Sequence, residues 1–210
     1  MTAEPAFIVY DTETTGLYNS RKDYRDETQP WAIQLAFLTA DIDFNVIDTY
    51  NTLVVPPEGV EFHPKAVAVH GFSEERVRSE GIPHKQALED FSDACHMVAD
   101  GGRVAYNIDF DDNVMTSMAM RAHPELSFDQ ALDALNGRTF RCCAMEAAIA
   151  FLRRRDANGA LRRIKLVEAY RAITGYKMPD AHDALGDVKG ALAVLKGIYE
   201  MTADMSQQSA

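Results

Sequence analysis

Apolar residues in the first quarter of the chain follow the pattern of extended strands. Residues 7–10 form a short apolar run with β-branched side chains, and two further runs cover residues 31–39 and 46–55. The segment 41–45 between the second and third runs is rich in Asp and Asn, as turns are. Three successive strands with a short turn between the last two predict an antiparallel meander.

Later segments change to helical spacing, interrupted by two brief strands. Ser73 is a predicted N-cap and Gly175 a predicted C-cap. The predicted helices cover residues 64–70, a turn after Ser73, 82–99, 110–121, 143–155, 164–174 and 182–202, and the brief strands cover 103–106 and 138–142. This order indicates an α/β fold in which helices flank a mixed sheet, with parallel strands added to the meander. We expect one domain over residues 1–203 and a short disordered tail at 204–210.

Composition narrows the class of protein. The chain has 210 residues, of which 47% are hydrophobic, so most of it can bury a core and is not intrinsically disordered. No window resembles a membrane span and the first five residues do not resemble a signal peptide, which predicts a cytoplasmic protein with no membrane partner. The net charge of -11 argues at first against nucleic-acid binding, because non-specific affinity comes mostly from Lys and Arg.

Acidic residues follow several of the predicted strands. Asp11 and Glu13 stand two apart at the end of the first strand, so their side chains project to the same side. Carboxylate oxygens suit hard cations such as Mg²⁺ or Mn²⁺. Asp111 follows another strand, and His182 and Asp187 lie five apart near the C-terminus. Each group taken alone is also compatible with a polar turn or a helix N-terminus, where acids are favourable.

The three groups together carry a family resemblance. Asp11-Thr-Glu-Thr-Thr-Gly-Leu17, Asn107-Ile-Asp-Phe-Asp111 and His182-Asp-Ala-Leu-Gly-Asp187 resemble the three motifs of the DEDDh (DnaQ-like) 3'-5' exonucleases, in the same order and at similar spacing. This family includes the proofreading epsilon subunit of bacterial DNA polymerase III. The resemblance covers about residues 6 to 200 and implies a ribonuclease H-like fold, which agrees with the order of predicted elements.

The resemblance implies a role for individual residues. Asp11, Glu13, Asp111 and Asp187 would bind two divalent cations, Mg²⁺ or Mn²⁺, and His182 would act as the general base. Two such cations clamp the attacking and leaving oxygens in phosphodiester hydrolysis, and imidazole can accept a proton near neutral pH. The residues that the resemblance places near the substrate are Thr14, Thr15, Gly16, Leu17, His70 and Asn107, although His70 could equally be a packed or capping residue.

Some positions depart from the family pattern or lie outside the motifs. Gln34 stands in a strand where many relatives carry a glutamate. The polar segment 19–30 is typical of a solvated loop, although its basic residues could touch a nucleic-acid strand. Basic residues also cluster at 153–155 and 162–165, where they could contact phosphates or simply follow helix C-termini.

The function predicted is a metal-dependent 3'-5' exonuclease that releases nucleoside 5'-monophosphates from single-stranded or frayed DNA ends. Alternatives are an RNA 3'-trimming enzyme and a polymerase-associated proofreading subunit, in a polymerase or repair complex. An HD-type phosphohydrolase built on His182 and Asp183 lacks a convincing set of further histidines, and a non-catalytic binding subunit would not need all five motif residues. Two bound cations would offset the acidity locally, so we expect a weak, salt-sensitive grip on short single-stranded ends. The sequence does not decide the oligomeric state.

Overall fold

The computed structural model describes residues 3–98, 100–179 and 182–208, and the side chains up to residue 206. Its centre is a six-stranded mixed sheet with the order β4-β3-β2-β1-β5-β6. β1, β2 and β3 are consecutive antiparallel neighbours, whereas β5 and β6 continue the sheet in parallel with β1. The strands are β1 (Phe7–Thr14), β2 (Ala32–Ala40), β3 (Val46–Val55), β4 (Ile82–Pro83), β5 (Gly102–Ala105) and β6 (Phe140–Cys143).

Helices cover both faces of this sheet. One apolar core joins β1 and β2 to α3, α4 and α5, and a second joins β1, β2 and β5 to α6, α7 and α8. The helices are α1 (Pro64–His70), α2 (Glu74–Glu80), α3 (His84–Met97), α4 (Ile108–Ala122), α5 (Phe128–Asn136), α6 (Ala144–Leu152), α7 (Leu166–Thr174) and α8 (Ala184–Gln208). Residues 8–10 of β1 lie between the two cores and are fully buried, because alternate side chains enter opposite cores.

The predicted α/β mixed sheet is confirmed, including the antiparallel meander and the added parallel strands. The caps are also as predicted: the Ser73 side chain accepts a hydrogen bond from the Arg76 amide, and Gly175 closes α7 with φ +79°.

Three details of the prediction were wrong. Ile82 and Pro83 do not begin the long helix but pair with Val54 and Val55 as a short strand. Helix α5, missing from the prediction, begins with a capping box in which Ser127 and Gln130 bond reciprocally.

The expected disordered tail is the third detail, and it is corrected in part. α8 continues to Gln208, because neither Gly nor Pro interrupts residues 203–208. The rest of that tail, residues 209 and 210, lies outside the described residues, and the single domain over residues 1–203 stays a prediction. None of the helices in the described ranges combines the length and apolar character that a membrane crossing needs.

Candidate active site

Strand β1 extends past its parallel neighbour. It pairs with β2 along its length, but with β5 only over residues 7–9. The backbone of residues 11–14 is therefore bounded by a strand on the β2 side alone. Asp11 and Glu13 share the face of β1 that packs against α8, because side chains alternate along a strand.

Three carboxylates converge at this projecting end. One oxygen each from Asp11, Glu13 and Asp187 lies within 4.8 Å of the others. Asp187 reaches the strand from the first turn of α8. Several carboxylates at such short range form a set of hard oxygen ligands suited to a divalent cation.

A fourth carboxylate enters from the first turn of α4. Asp111 is 3% exposed, and its Oδ1 accepts hydrogen bonds from the amide of Thr12 at 3.0 Å and from its hydroxyl at 2.8 Å. The Thr12 amide lies beyond the last β5 pairing, so Asp111 takes the place of a strand partner. Asp111 is not one of the three converging ligands, but its charge acts on both Asp11 and Glu13.

The pKa of every carboxyl group in this cluster is raised. Burial is the largest cause for Asp11, followed by the charges of Asp111, Asp187 and Glu13. Burial and neighbouring carboxylates raise the pKa of Glu13 to about 8. Burial raises the pKa of Asp111 to about 7, although the Thr12 hydrogen bonds oppose the shift. Among the described residues, no Lys or Arg is paired with these four acids, and a bound metal ion would reverse the pKa shifts.

His182 precedes α8 and lies beside this cluster. Its backbone is in the left-handed region with φ +70°, its side chain is exposed, and its amide lies 3.4 Å from Asp187 Oδ1. Burial raises the pKa of Asp187, and the hydrogen bond and the charge of His182 oppose that shift. The ring is therefore close enough to Asp187 for an electrostatic interaction and also open to solvent.

The substrate-binding residues predicted after β1 differ in accessibility. The Thr14 and Thr15 side chains are buried, and their hydroxyls bond to the Gly16 carbonyl and the Trp31 amide. Gly16 is partly exposed, and Leu17 is 86% exposed although it is apolar. Of these four residues, Leu17 presents the largest surface to an incoming molecule.

His70 is held inside the protein. It is 8% exposed, its ring stacks on Phe72, and its Nδ1 accepts a hydrogen bond from the Phe72 amide at 3.0 Å. Its Nε2 is buried without a hydrogen bond of ordinary geometry to any described residue. Burial lowers the pKa of His70, and the Thr14 backbone partly offsets this. The surroundings of His70 are therefore those of a packed residue, and its ring lies near the backbone of Thr14 at the end of β1.

Asn107 stands at the N-cap position of α4 and meets the basic segment 162–165. Its Oδ1 accepts a hydrogen bond from Arg163 Nη2 at 2.8 Å. The neighbouring Tyr106 hydroxyl donates to the Ile164 carbonyl at 2.7 Å. These two contacts hold an exposed arginine beside the second motif.

Comparison with known proteins identifies the family. The model of the RNase T exonuclease family matches residues 8–195. The chain belongs to this exonuclease family. The resemblance to DnaQ-like exonucleases is thereby confirmed, whereas a search of curated protein sequences gave no significant match.

The exonuclease resembles solved structures of exonuclease I. A complex of the E. coli enzyme with a dT13 oligonucleotide has a TM-score of 0.73 and 19% identity, covering 96% of this chain and 42% of that one. A zinc-bound E. coli complex with single-stranded DNA gives 0.72 and 23%, covering 92% and 40%. A moderately thermophilic exonuclease I from Methylocaldum szegediense gives 0.68 and 22%, with the same coverage. The chain therefore has the ribonuclease H-like exonuclease fold and spans about two fifths of the length of these proteins.

Two acids beside Asp111, one within the second motif of the exonuclease and one directly after it, are paired with other residues. Asp112 accepts hydrogen bonds from Tyr10, Arg103 and Arg141, and Arg141 also bonds to Asp109 at 2.6 Å. Both acids are thus paired with arginine, in contrast to Asp111. Asp111 instead bonds to Thr12 of β1.

The sequence did not indicate the role of Thr12 in the exonuclease. It is the variable position of the D-x-E motif, and its contact with Asp111 joins residues 99 positions apart. The one local signal in the sequence is a hydroxyl residue between two acids at the end of a strand. Where a strand projects past its neighbour, the backbone amide and the hydroxyl of such a residue are both free to donate hydrogen bonds to an acid from another element.

Proposed function

We propose that this protein is a metal-dependent 3'-5' exonuclease that hydrolyses single-stranded DNA to nucleoside 5'-monophosphates. The observation that carries the proposal is the convergence of Asp11, Glu13 and Asp187 within 4.8 Å, with Asp111 alongside. The family match supports a nuclease reaction for this group of acids. Their raised pKa values support a site that requires cations.

The four acids would hold two divalent cations, Mg²⁺ or Mn²⁺. Bound cations would supply Lewis-acid stabilisation of the attacking and leaving oxygens. Asp11 would be a central ligand of this group, because the charges of Glu13, Asp111 and Asp187 all act on it. Thr12 would keep the Asp111 carboxylate oriented through two hydrogen bonds to one oxygen.

His182 would accept the proton of the attacking water. Its exposed ring is accessible to a water molecule, and its charge interacts with Asp187. A general base must lie within reach of the water that it deprotonates. The backbone amide of His182 lies 3.4 Å from Asp187 Oδ1, which supports a role for this residue on the Asp187 side of the cluster. The resulting hydroxide would attack the phosphorus as the bond between phosphorus and the 3'-oxygen breaks. The 3'-oxygen would take a proton from solvent, and the ring would release its own proton to solvent, to which it is open.

The DNA strand would contact residues on either side of the acids. Leu17 offers an exposed apolar surface for a base, since bases stack on or pack against apolar side chains. Arg163 would bind a backbone phosphate from its place beside Asn107. His70 would support the loop after β1 from behind. The loop 19–30 is less available, because Tyr24 bonds to Asn113 and Arg25 to the Leu126 carbonyl.

The choice of single-stranded DNA is supported by the two E. coli exonuclease I complexes, one with a dT13 oligonucleotide and one with single-stranded DNA. RNA trimming is the competing substrate class. A polymerase or repair complex is a further candidate setting for the same reaction, and an assay of the isolated protein does not depend on it.

The proposal is tested with single-stranded DNA and RNA of the same sequence, labelled at either end. We expect Mg²⁺ or Mn²⁺ to support release of mononucleotides from the 3' label and a ladder from the 5' label, and a chelator to stop both. Asp11→Asn should reduce the rate on the order of a thousandfold, because several kcal/mol of transition-state stabilisation depend on the cations.

Asp109→Asn is the matched control, since this acid lies in the second motif but pairs with Arg141. It should keep the rate within about twofold, as exposed substitutions usually do. Activity that survives both the chelator and Asp11→Asn would refute metal dependence. Initial release of the 5' label would refute the polarity, and preferential digestion of RNA would replace the substrate.

A further inference from the structure

We propose that Gln34 is a positioning residue that anchors the first turn of α8 and thereby places Asp187 and His182 against the acids of β1. The inference rests on the proposed function. Gln34 is 3% exposed and lies on β2, 150 positions before its partner Ala184.

Three hydrogen bonds use the whole amide of Gln34. Its Oε1 accepts from the Ala184 amide at 3.1 Å, and its Nε2 donates to Asp183 Oδ1 at 2.9 Å and to Asn51 Oδ1 at 3.0 Å. The first amides of a helix have no partner within the helix, so the bond to Ala184 satisfies one of them. The second bond holds the residue just before α8.

The strand register places this anchor next to the cluster. Gln34 is directly opposite Glu13 in the β1/β2 pairing. Opposed residues of antiparallel strands project to the same face, so Gln34 and Glu13 both face α8. The contact that holds the start of α8 is therefore made from the residue beside one of the converging acids.

Asp183 links Gln34 to Asp187 through hydrogen bonds. Its Oδ2 accepts from the Gly186 amide at 3.3 Å, and its carbonyl accepts from the Asp187 amide at 2.9 Å. Asp187 thus lies one helical turn beyond a residue that Gln34 holds directly. A shift at the start of α8 would move the Asp187 oxygen away from Asp11 and Glu13, and a metal site tolerates only small displacements of its ligands.

This network requires an amide rather than a carboxylate at position 34. A glutamate there could accept from Ala184 but could not donate to Asp183, and it would place a further negative charge beside a cluster of acids. Adding Asp183→Asn to Gln34→Glu would restore the pairing, because the new amide can donate to the carboxylate at position 34 while its oxygen accepts from Gly186. Asparagine is also a favourable N-cap residue.

The experiment compares the wild type with Gln34→Glu and with the double variant Gln34→Glu/Asp183→Asn. Mn²⁺ binding to metal-free protein is measured by calorimetry, and kcat and KM on single-stranded DNA are measured separately. Gln34→Glu should weaken Mn²⁺ binding about 10- to 100-fold, as other changes to the partners of metal ligands do, and lower kcat more than it raises KM. The double variant should recover most of the Mn²⁺ affinity.

Two further variants keep the test decisive. Asn51→Ala removes the Gln34 bond on the β3 side and leaves both α8 contacts, so it should change Mn²⁺ affinity by less than about threefold, the scale of one ordinary hydrogen bond. If Gln34→Glu does not fold, Gln34→Met of similar volume takes its place in the Mn²⁺ measurement.

Wild-type Mn²⁺ affinity in the position 34 variants, or a double variant no better than Gln34→Glu, would overturn the positioning role. Failure of the proposed function has a different signature: the wild type would not digest DNA, whereas the Mn²⁺ comparison would still report on the anchor.

Discussion

β1 and α8 bring carboxylates to the same point and are held there by different forces. Asp11 and Glu13 belong to a strand whose backbone pairs residue by residue with β2, in register with Ala36 and Gln34. Asp187 belongs to the first turn of a helix, and the preceding His182 is exposed with a left-handed backbone. The strand side of the site, Asp11 and Glu13, is held by main-chain hydrogen bonds. The helix side, His182 and Asp187, is held by hydrogen bonds from side chains.

This difference indicates how the two sides respond to change. Main-chain pairing tolerates side-chain substitution, so variants of the strand acids should alter charge and ligation while the backbone stays in place. The start of α8 is secured by Gln34 and by the capping contact of Asp183. We therefore expect the three converging acids, two from the strand and Asp187 from the helix, to govern cation binding, and His182 to govern proton transfer, a division that substitutions on each side can test.

After Asp11→Asn, the largest effect is expected from His182→Gln. It should lower kcat about 10²-fold or more, as loss of a general base usually does. Mn²⁺ affinity should stay near the wild-type value, because the converging ligand set consists of carboxylates. Rates measured at saturating Mn²⁺ and titrations of the metal-free variant separate the two effects. A loss of Mn²⁺ affinity as large as the loss of kcat would indicate that the His182 ring is a metal ligand, and would contradict the proposed division.

A smaller effect is expected from Thr12→Val on the strand side. Valine keeps the shape of threonine but removes the hydroxyl that donates to Asp111, while the amide contact persists. Mn²⁺ affinity should fall about tenfold, and kcat with it. Thr12→Ser, which keeps a hydroxyl, is the matched control and should lie near the wild type. Equal behaviour of the two variants would show that the amide alone orients Asp111.

The smallest effect is a pH dependence of stability in the metal-free protein. The pKa of Glu13 is about 8 in the folded state, above the ordinary glutamate value of 4.5, so the folded state binds this proton more tightly than the unfolded chain. Its contribution to stability is complete at pH values below about 4.5 and is lost as the pH rises through about 8. Asp111, with a pKa of about 7, adds to the same trend.

Thermal unfolding between about pH 5.5 and 8.5 measures this trend. Tm should fall as the pH rises, and saturating Mg²⁺ should reduce the fall because the cation stabilises the ionised acids. Glu13→Gln should flatten the curve more than Asp187→Asn, since His182 already opposes the upward pKa shift of Asp187. A Tm that rises with pH in metal-free buffer would contradict the buried-acid interpretation.

The sequence predicted those features that depend on local pattern. The two-residue alternation at the end of the first apolar run is enough to place Asp11 and Glu13 on one face, and the motif order predicts which later acids join them. It did not predict α5, although Phe128, Ala131 and Leu135 stand at helical spacing and Ser127 begins a capping box. The sequence also predicted that Ile82 begins a helix, because the pairing of Ile82 with Val54 is a tertiary contact that the local pattern does not show.

The unpredicted part of the candidate site consists of long-range contacts. Thr12 meets Asp111 and Gln34 meets Ala184 only after the sheet and helices have packed. The basic residue Arg163 belongs to a cluster predicted as a candidate phosphate contact, but its bond to Asn107 required the fold. Periodicity reports on one element at a time, so contacts between elements 56 to 150 positions apart lie beyond it.

The separation of β1 from α8 along the chain has a consequence for biosynthesis. The ribosome releases β1 before α8, because the acid of α8 stands 176 positions after Asp11, and the candidate base immediately precedes that helix. Contacts between such distant segments form late, because a long loop must close first. A nascent chain therefore carries an incomplete cluster until α8 has been synthesised, and the assembled carboxylates arise only once that helix docks on the sheet.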